Sequence, residues 1–98
     1  MKLYKVKPGK VAALKKWGAF LNANAGKVKR LLKQENCSRE FFYLFKIGRS
    51  YYAIIHMEGG PFKTPNNDPI NQKHKKVLKD CLEPRPLSLK TLYDFSAN

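Results

Sequence analysis

The stretch "SREFFYLFKIGRSYYAIIHM", residues 38–57, decides the fold. Both halves are crowded with aromatic and β-branched side chains, which favour extended backbone. Gly48-Arg49-Ser50 divides them, and a glycine between two such runs marks a hairpin. The spacing predicts strands over 38–47 and 51–57. In the first, Phe41, Tyr43, Phe45 and Ile47 share one face, with Phe42 and Leu44 on the other. In the second, Tyr51, Ala53, Ile55 and Met57 oppose Tyr52 and Ile54. Apolar residues thus lie on both faces, and both faces need cover.

Towards the N-terminus, "KLYKVKP" alternates, with Tyr4 and Val6 on one side, and Pro8-Gly9 ends it. From Lys10 to Glu35 apolar residues recur at spacings of three and four: Val11, Leu14, Trp17, Leu21, Ala25, Val28 and Leu32. That is a helix, with "NANAG" (22–26) as the place for a bend or break. Towards the C-terminus, "EGGPFKTPNND" (58–68) reads as a loop. Asp68 caps a second helix with Pro69 at its first position, where a missing N–H costs nothing. It runs to Leu82, ahead of Pro84 and Pro86. "LSLKTLYDF" (87–95) alternates again and reads as a last strand. The expected fold is α+β and ferredoxin-like, in the order βαββαβ. Its four-stranded antiparallel sheet carries two helices on one face.

Two helices cover one side of such a sheet. The simplest cover for the other is a second copy, giving a homodimer with sheets face to face. Size fits a single domain over residues 1–98, too short for two cores. Lys and Arg number 20 against 7 acids, a net charge of +13. That balance suits a nucleic acid or an anionic membrane. The lysines are scattered along the chain, which favours a solvated basic surface. "MKLYKVKPGK" contains no apolar run, so neither a signal peptide nor a membrane span is expected, and the expected location is cytoplasmic. Cys37 and Cys81 are expected as buried thiols.

In the second helix Ile70, His74, Val77, Leu78 and Cys81 share a stripe, which puts an ionisable ring on the buried side. Asn71 precedes His74 by one turn. Glu40 opens a very apolar strand. If it points inward it needs a partner, for which His74, Arg39 and Arg49 are the candidates. Trp17, Tyr43 and Tyr52 are candidate pocket walls, and His56 ends its strand as a weaker candidate. There is no G-x-x-x-x-G-K-[ST] loop, G-x-G-x-x-G fingerprint, H-E-x-x-H, C-x-x-C or G-x-S-x-G. Neither a metal site nor a cofactor is expected.

"KPGKVAALKKW" after the first strand, Glu40 with Tyr43 three residues on, "YYAIIHM", and "PINQKH" at the helix start together resemble the dimeric α+β barrel superfamily. Within it the chain is similar to a small, mostly bacterial family of unknown function. Those families carry Glu-x-x-Phe and Ile-Asp-x-x-His; here Tyr43 replaces the Phe and Asn71 the Asp. The resemblance implies a homodimer with one pocket per subunit between sheet and helices.

Three functions compete. The first is a homodimer that binds, or acts without a cofactor on, a small apolar or aromatic molecule. There His74 would move a proton, oriented by Glu40 or Asn71. The second is a single-strand nucleic-acid module of the same element order. "RSYYAIIH" places Arg49 and Tyr51 suitably for it, but Ala53 stands where a second aromatic belongs. The third is a basic module docking on an acidic partner protein.

Overall fold

A computed structural model describes residues 1–65 and 67–97. Position 66 of the expected 58–68 loop and position 98 of the expected domain lie outside the described residues. The elements are β1 (Lys2–Lys5), α1 (Val11–Ala23), α2 (Ala25–Gln34), β2 (Cys37–Ile47), β3 (Ser50–Gly59) and α3 (Pro69–Cys81). The strands form one antiparallel sheet in the order β1-β3-β2.

The hairpin forms as its composition dictates, with Phe42 opposite Ile55, Leu44 opposite Ala53 and Tyr43 opposite Ile54. Ala53, on the central strand, is 0% exposed. Its small side chain lets Val6, Leu14, Cys81 and Leu82 close over the sheet. Burying each of these leucines contributes about 1.5–3 kcal/mol. The helices therefore sit on the side of Phe42, Leu44, Ala53 and Ile55.

The long helical pattern divides where the asparagines and glycine weaken it. The Asn24 side chain donates to the Phe20 carbonyl at 2.8 Å, which ends α1. The Asn24 carbonyl then accepts from Val28 N–H and α2 begins at once. After α2, Asn36 takes a left-handed conformation, φ 59, which asparagine tolerates better than most residues, and the chain enters β2. At the far end of the hairpin Gly59 has φ +115, and a Cβ there would lie 2.9 Å from both the Asn36 oxygen and the Ser38 nitrogen. Glycine is required at that crossing of β3 over the start of β2. Asp68 caps α3 as expected, accepting from Ile70 N–H at 2.9 Å. It also pairs with Lys27 of α2 at 3.4 Å.

The fourth strand does not form, and this corrects the ferredoxin-like expectation. Among the described residues the fold is a three-stranded antiparallel sheet with three helices, not the four-stranded sheet from which a dimeric α+β barrel is built. Residues 82–87 do meet the edge of β1, through Glu83 N–H to the Lys5 carbonyl at 2.9 Å and Leu87 N–H to the Leu3 carbonyl at 2.7 Å. Val6 and Leu82, and Leu3 and Leu87, form isolated antiparallel bridges. Running antiparallel, the segment passes the start of β1 just after Leu87 and finds no further partner strand. Alternation in 87–95 gives sidedness, but ladder hydrogen bonds need a template, and β1 spans only Lys2–Lys5. Leu92, Tyr93 and Phe95 are accordingly exposed.

Candidate functional site

Trp17 is the buried face of α1 at mid-length, and His74 lies across from it on α3. The Trp17 indole N–H donates to His74 Nδ1 at 2.8 Å. An indole nitrogen can only donate, so Nδ1 carries the lone pair and the ring proton resides on Nε2. Nε2 faces Glu40 Oε1 at 3.6 Å, with the two side chains 29% and 26% exposed. That separation is just beyond hydrogen-bond contact. The indole is itself held by a stacked Phe20, ring centroids 5.1 Å apart, and by the Lys73 ammonium 5.5 Å from its ring centre.

These groups open on a cavity of about 1050 Å³ between the helices and the sheet. Small-molecule sites commonly occupy about 300–1,000 Å³. Leu21, Val28, Leu32, Phe42, Leu44 and Ile55 give apolar walls, while Glu35, Glu40, Asn71 and His74 supply polar groups. Lys15, Lys29 and Lys75 also line it.

Of the residues singled out in the sequence, the fold brings Trp17, Glu40, Asn71 and His74 together on this cavity. Tyr43, Tyr52 and His56 lie on the other face of the sheet. The strand period explains it: Glu40 and Tyr43 are three apart, so their side chains leave β2 on opposite sides. On that far face Tyr52 stacks on Phe45 at 5.6 Å, and His56 lies against the Phe41 ring at 5.2 Å. His56 Nε2 is 3.5 Å from Glu58 Oε1. Glu40 meets His74 alone of its three candidate partners, since Arg39 pairs with Glu58 at 3.6 Å.

Glu35 is the cavity residue that sequence reasoning missed. It is the first acid in the chain. It follows Leu32 by three and Val28 by seven, on the apolar stripe already visible, and that phase is the signal that could have found it. Burial pushes its carboxyl above the ordinary value, the charge of Glu40 pushes it further, and a charged His74 would oppose both.

Among the described residues no group of three His, Cys, Asp or Glu is placed to hold a metal ion. No helix there is long and apolar enough to cross a membrane. The model of one family, described as "Family of unknown function (DUF6176)", matches residues 1–96. No curated protein and no solved structure matches the chain.

Proposed function

The chain belongs to the DUF6176 family, and we propose that it binds a small apolar or aromatic molecule in the cavity between helices and sheet, and works as a homodimer. The ligand's body lies against Phe42, Leu44 and Ile55, and its polar end meets Glu40 and His74. Acid–base chemistry at that end needs no cofactor. The observation that carries the reading is the Trp17–His74–Glu40 alignment opening on a cavity of about 1050 Å³. The bond from Trp17 holds the ring so that Nε2 points to Glu40 at the cavity.

The dimer is supported by the far face of the sheet. Leu3, Phe41, Tyr43, Phe45, Ile47, Tyr52 and Ile54 share it by register, and Tyr43 and Ile47 are 55% and 64% exposed. A second copy of the same face would cover it.

The test uses 2-naphthol as an apolar aromatic probe and Trp17 fluorescence as the reporter, with light scattering on the same samples. Saturable quenching in the wild type, lost in His74→Ala while the fold persists by circular dichroism, is the expected result. Unchanged affinity in that variant returns His74 to a structural role. A chain that scatters as a monomer and binds single-stranded nucleic acid with a steep salt dependence replaces this reading with the nucleic-acid one.

A further inference from the structure

Residues 88–95 carry a strand pattern beyond the end of the sheet that could receive it. Leu87 bridges Leu3 antiparallel, its N–H donating to the Leu3 carbonyl at 2.7 Å, and β1 begins only one residue before Leu3. Residues directly opposite in a ladder point to the same side. Leu87 therefore shares the side of Leu3, which stands opposite Ile54 on the far face of the sheet. Alternation carries Leu89, Tyr93 and Phe95 to that side, and Ser88, Lys90, Leu92 and Asp94 to the other. The rings of Tyr93 and Phe95 stack at 5.6 Å, as two residues on one side of an extended chain can. They are 77% and 88% exposed, so their own sheet does not cover them. The apolar far face thus continues past the edge of β1 onto a tail. Eight extended residues reach about 26 Å, more than the width of three strands set about 4.8 Å apart.

Charge decides what this surface meets. The chain carries +13, yet residues 88–95 hold one Lys and one Asp. On the far face, register places Lys5, and Arg39 already paired with Glu58 at 3.6 Å. Nucleic acids, acidic proteins and anionic membranes select surfaces rich in unpaired Lys and Arg, and this one offers them little. Two copies of so basic a chain repel each other, so they come together where charge is low and apolar area is high. Tail and far face meet both conditions.

We infer that residues 88–95 clasp a second copy of the chain, laying Leu89, Tyr93 and Phe95 on the far face of that copy's sheet. The inference rests on the homodimer reading above and names the segment that seals the contact. Under two-fold symmetry each chain gives one tail and receives one. Every tail residue on the apolar side then counts twice in the buried area.

The experiment measures the dimer dissociation constant of the full chain by sedimentation velocity over a dilution series. Tyr93→Ser combined with Phe95→Ser is expected to raise it about tenfold or more. Leu92→Ser, at a residue 83% exposed but on the other side of the tail, is expected to leave it unchanged. In mixtures of labelled and unlabelled wild-type chains, isotope-filtered NMR is expected to place Phe95 ring protons beside far-face side chains of the other copy. A wild-type dimer whose constant the double variant does not move, or which Leu92→Ser moves as much, overturns the clasp and leaves the homodimer standing. Phe95 contacts confined to its own chain do the same. A wild type that stays monomeric at every concentration overturns both readings. So does a monomer that sediments with phosphatidylcholine vesicles through these two rings, which assigns the tail to a lipid surface.

Discussion

Trp17 Nε1 and His74 Nδ1, 57 positions apart in sequence, share a 2.8 Å hydrogen bond in which the imidazole is the acceptor. The tautomer of a residue on α3 is thus set by a residue on α1. Nitrogen-15 spectra of the wild type should show His74 protonated at Nε2 and bare at Nδ1. Trp17→Phe keeps most of the ring bulk and removes the donor. The second tautomer should then appear, and stability should fall by about 1 kcal/mol for the lost bond. A single unchanged tautomer in that variant would show that Trp17 does not set it.

Glu35 ties stability to pH. Its folded-state carboxyl is raised above the ordinary 4.5, so the folded chain holds this proton more tightly than the unfolded chain does. Its contribution is complete below 4.5 and is lost as pH climbs through the raised value. Melting curves across acid to neutral pH should show the wild type losing stability relative to Glu35→Gln over that window. Parallel curves for the two proteins would remove the effect.

Ala53 has no room to grow. At 0% exposure beneath Val6, Leu14 and Leu82, a leucine there overfills the core, at a cost of about 1–3 kcal/mol. Chemical denaturation of Ala53→Leu should show a lower midpoint. Ile54→Leu, one residue on and facing the other side, should cost much less.

The two thiols should be inert while the chain is folded. Cys37 and Cys81 are 4% and 2% exposed. Burial pushes the Cys81 thiol up, with Lys10 and Lys7 opposing and Asp80 assisting, so little thiolate is present near neutral pH. A thiol-specific chromogenic disulfide should react with both only as the protein unfolds. Rapid labelling of the native chain would contradict this placement.

If the far face of the sheet is covered by a second copy, a charge at its centre should separate the two. Tyr43→Asp should give the mass of one 11.3 kDa chain by light scattering, where the wild type gives twice that mass. An identical mass for both proteins would exclude this face as the contact.

The hairpin, the helix break at Asn24 and the Asp68 cap were legible because each rests on local chemistry: β-branched and aromatic runs, an asparagine bonding back to Phe20, a carboxylate beside Ile70 N–H. The pairing of Glu40 with His74 was legible as a choice among partners, since a partly buried acid must find one. Residues 87–95 were misread because alternation says which way side chains point and nothing about whether a neighbouring strand is long enough to receive them. Tyr43 and Tyr52 were misplaced for the same reason at smaller scale. They are suitable wall residues by type, but the pleat had already assigned them to the far side. Glu35 went unseen because an acid on an apolar stripe reads as the end of the stripe, and only the folded chain brings it within range of Glu40.

The bonds from Leu87 to Leu3 and from Glu83 to Lys5 join the segment after α3 to the first strand. A nascent polypeptide must therefore release residue 87 from the ribosome before β1 acquires its outer neighbour. Hairpin and helices can assemble earlier, but the sheet's leading edge stays unfinished until residue 87 has emerged.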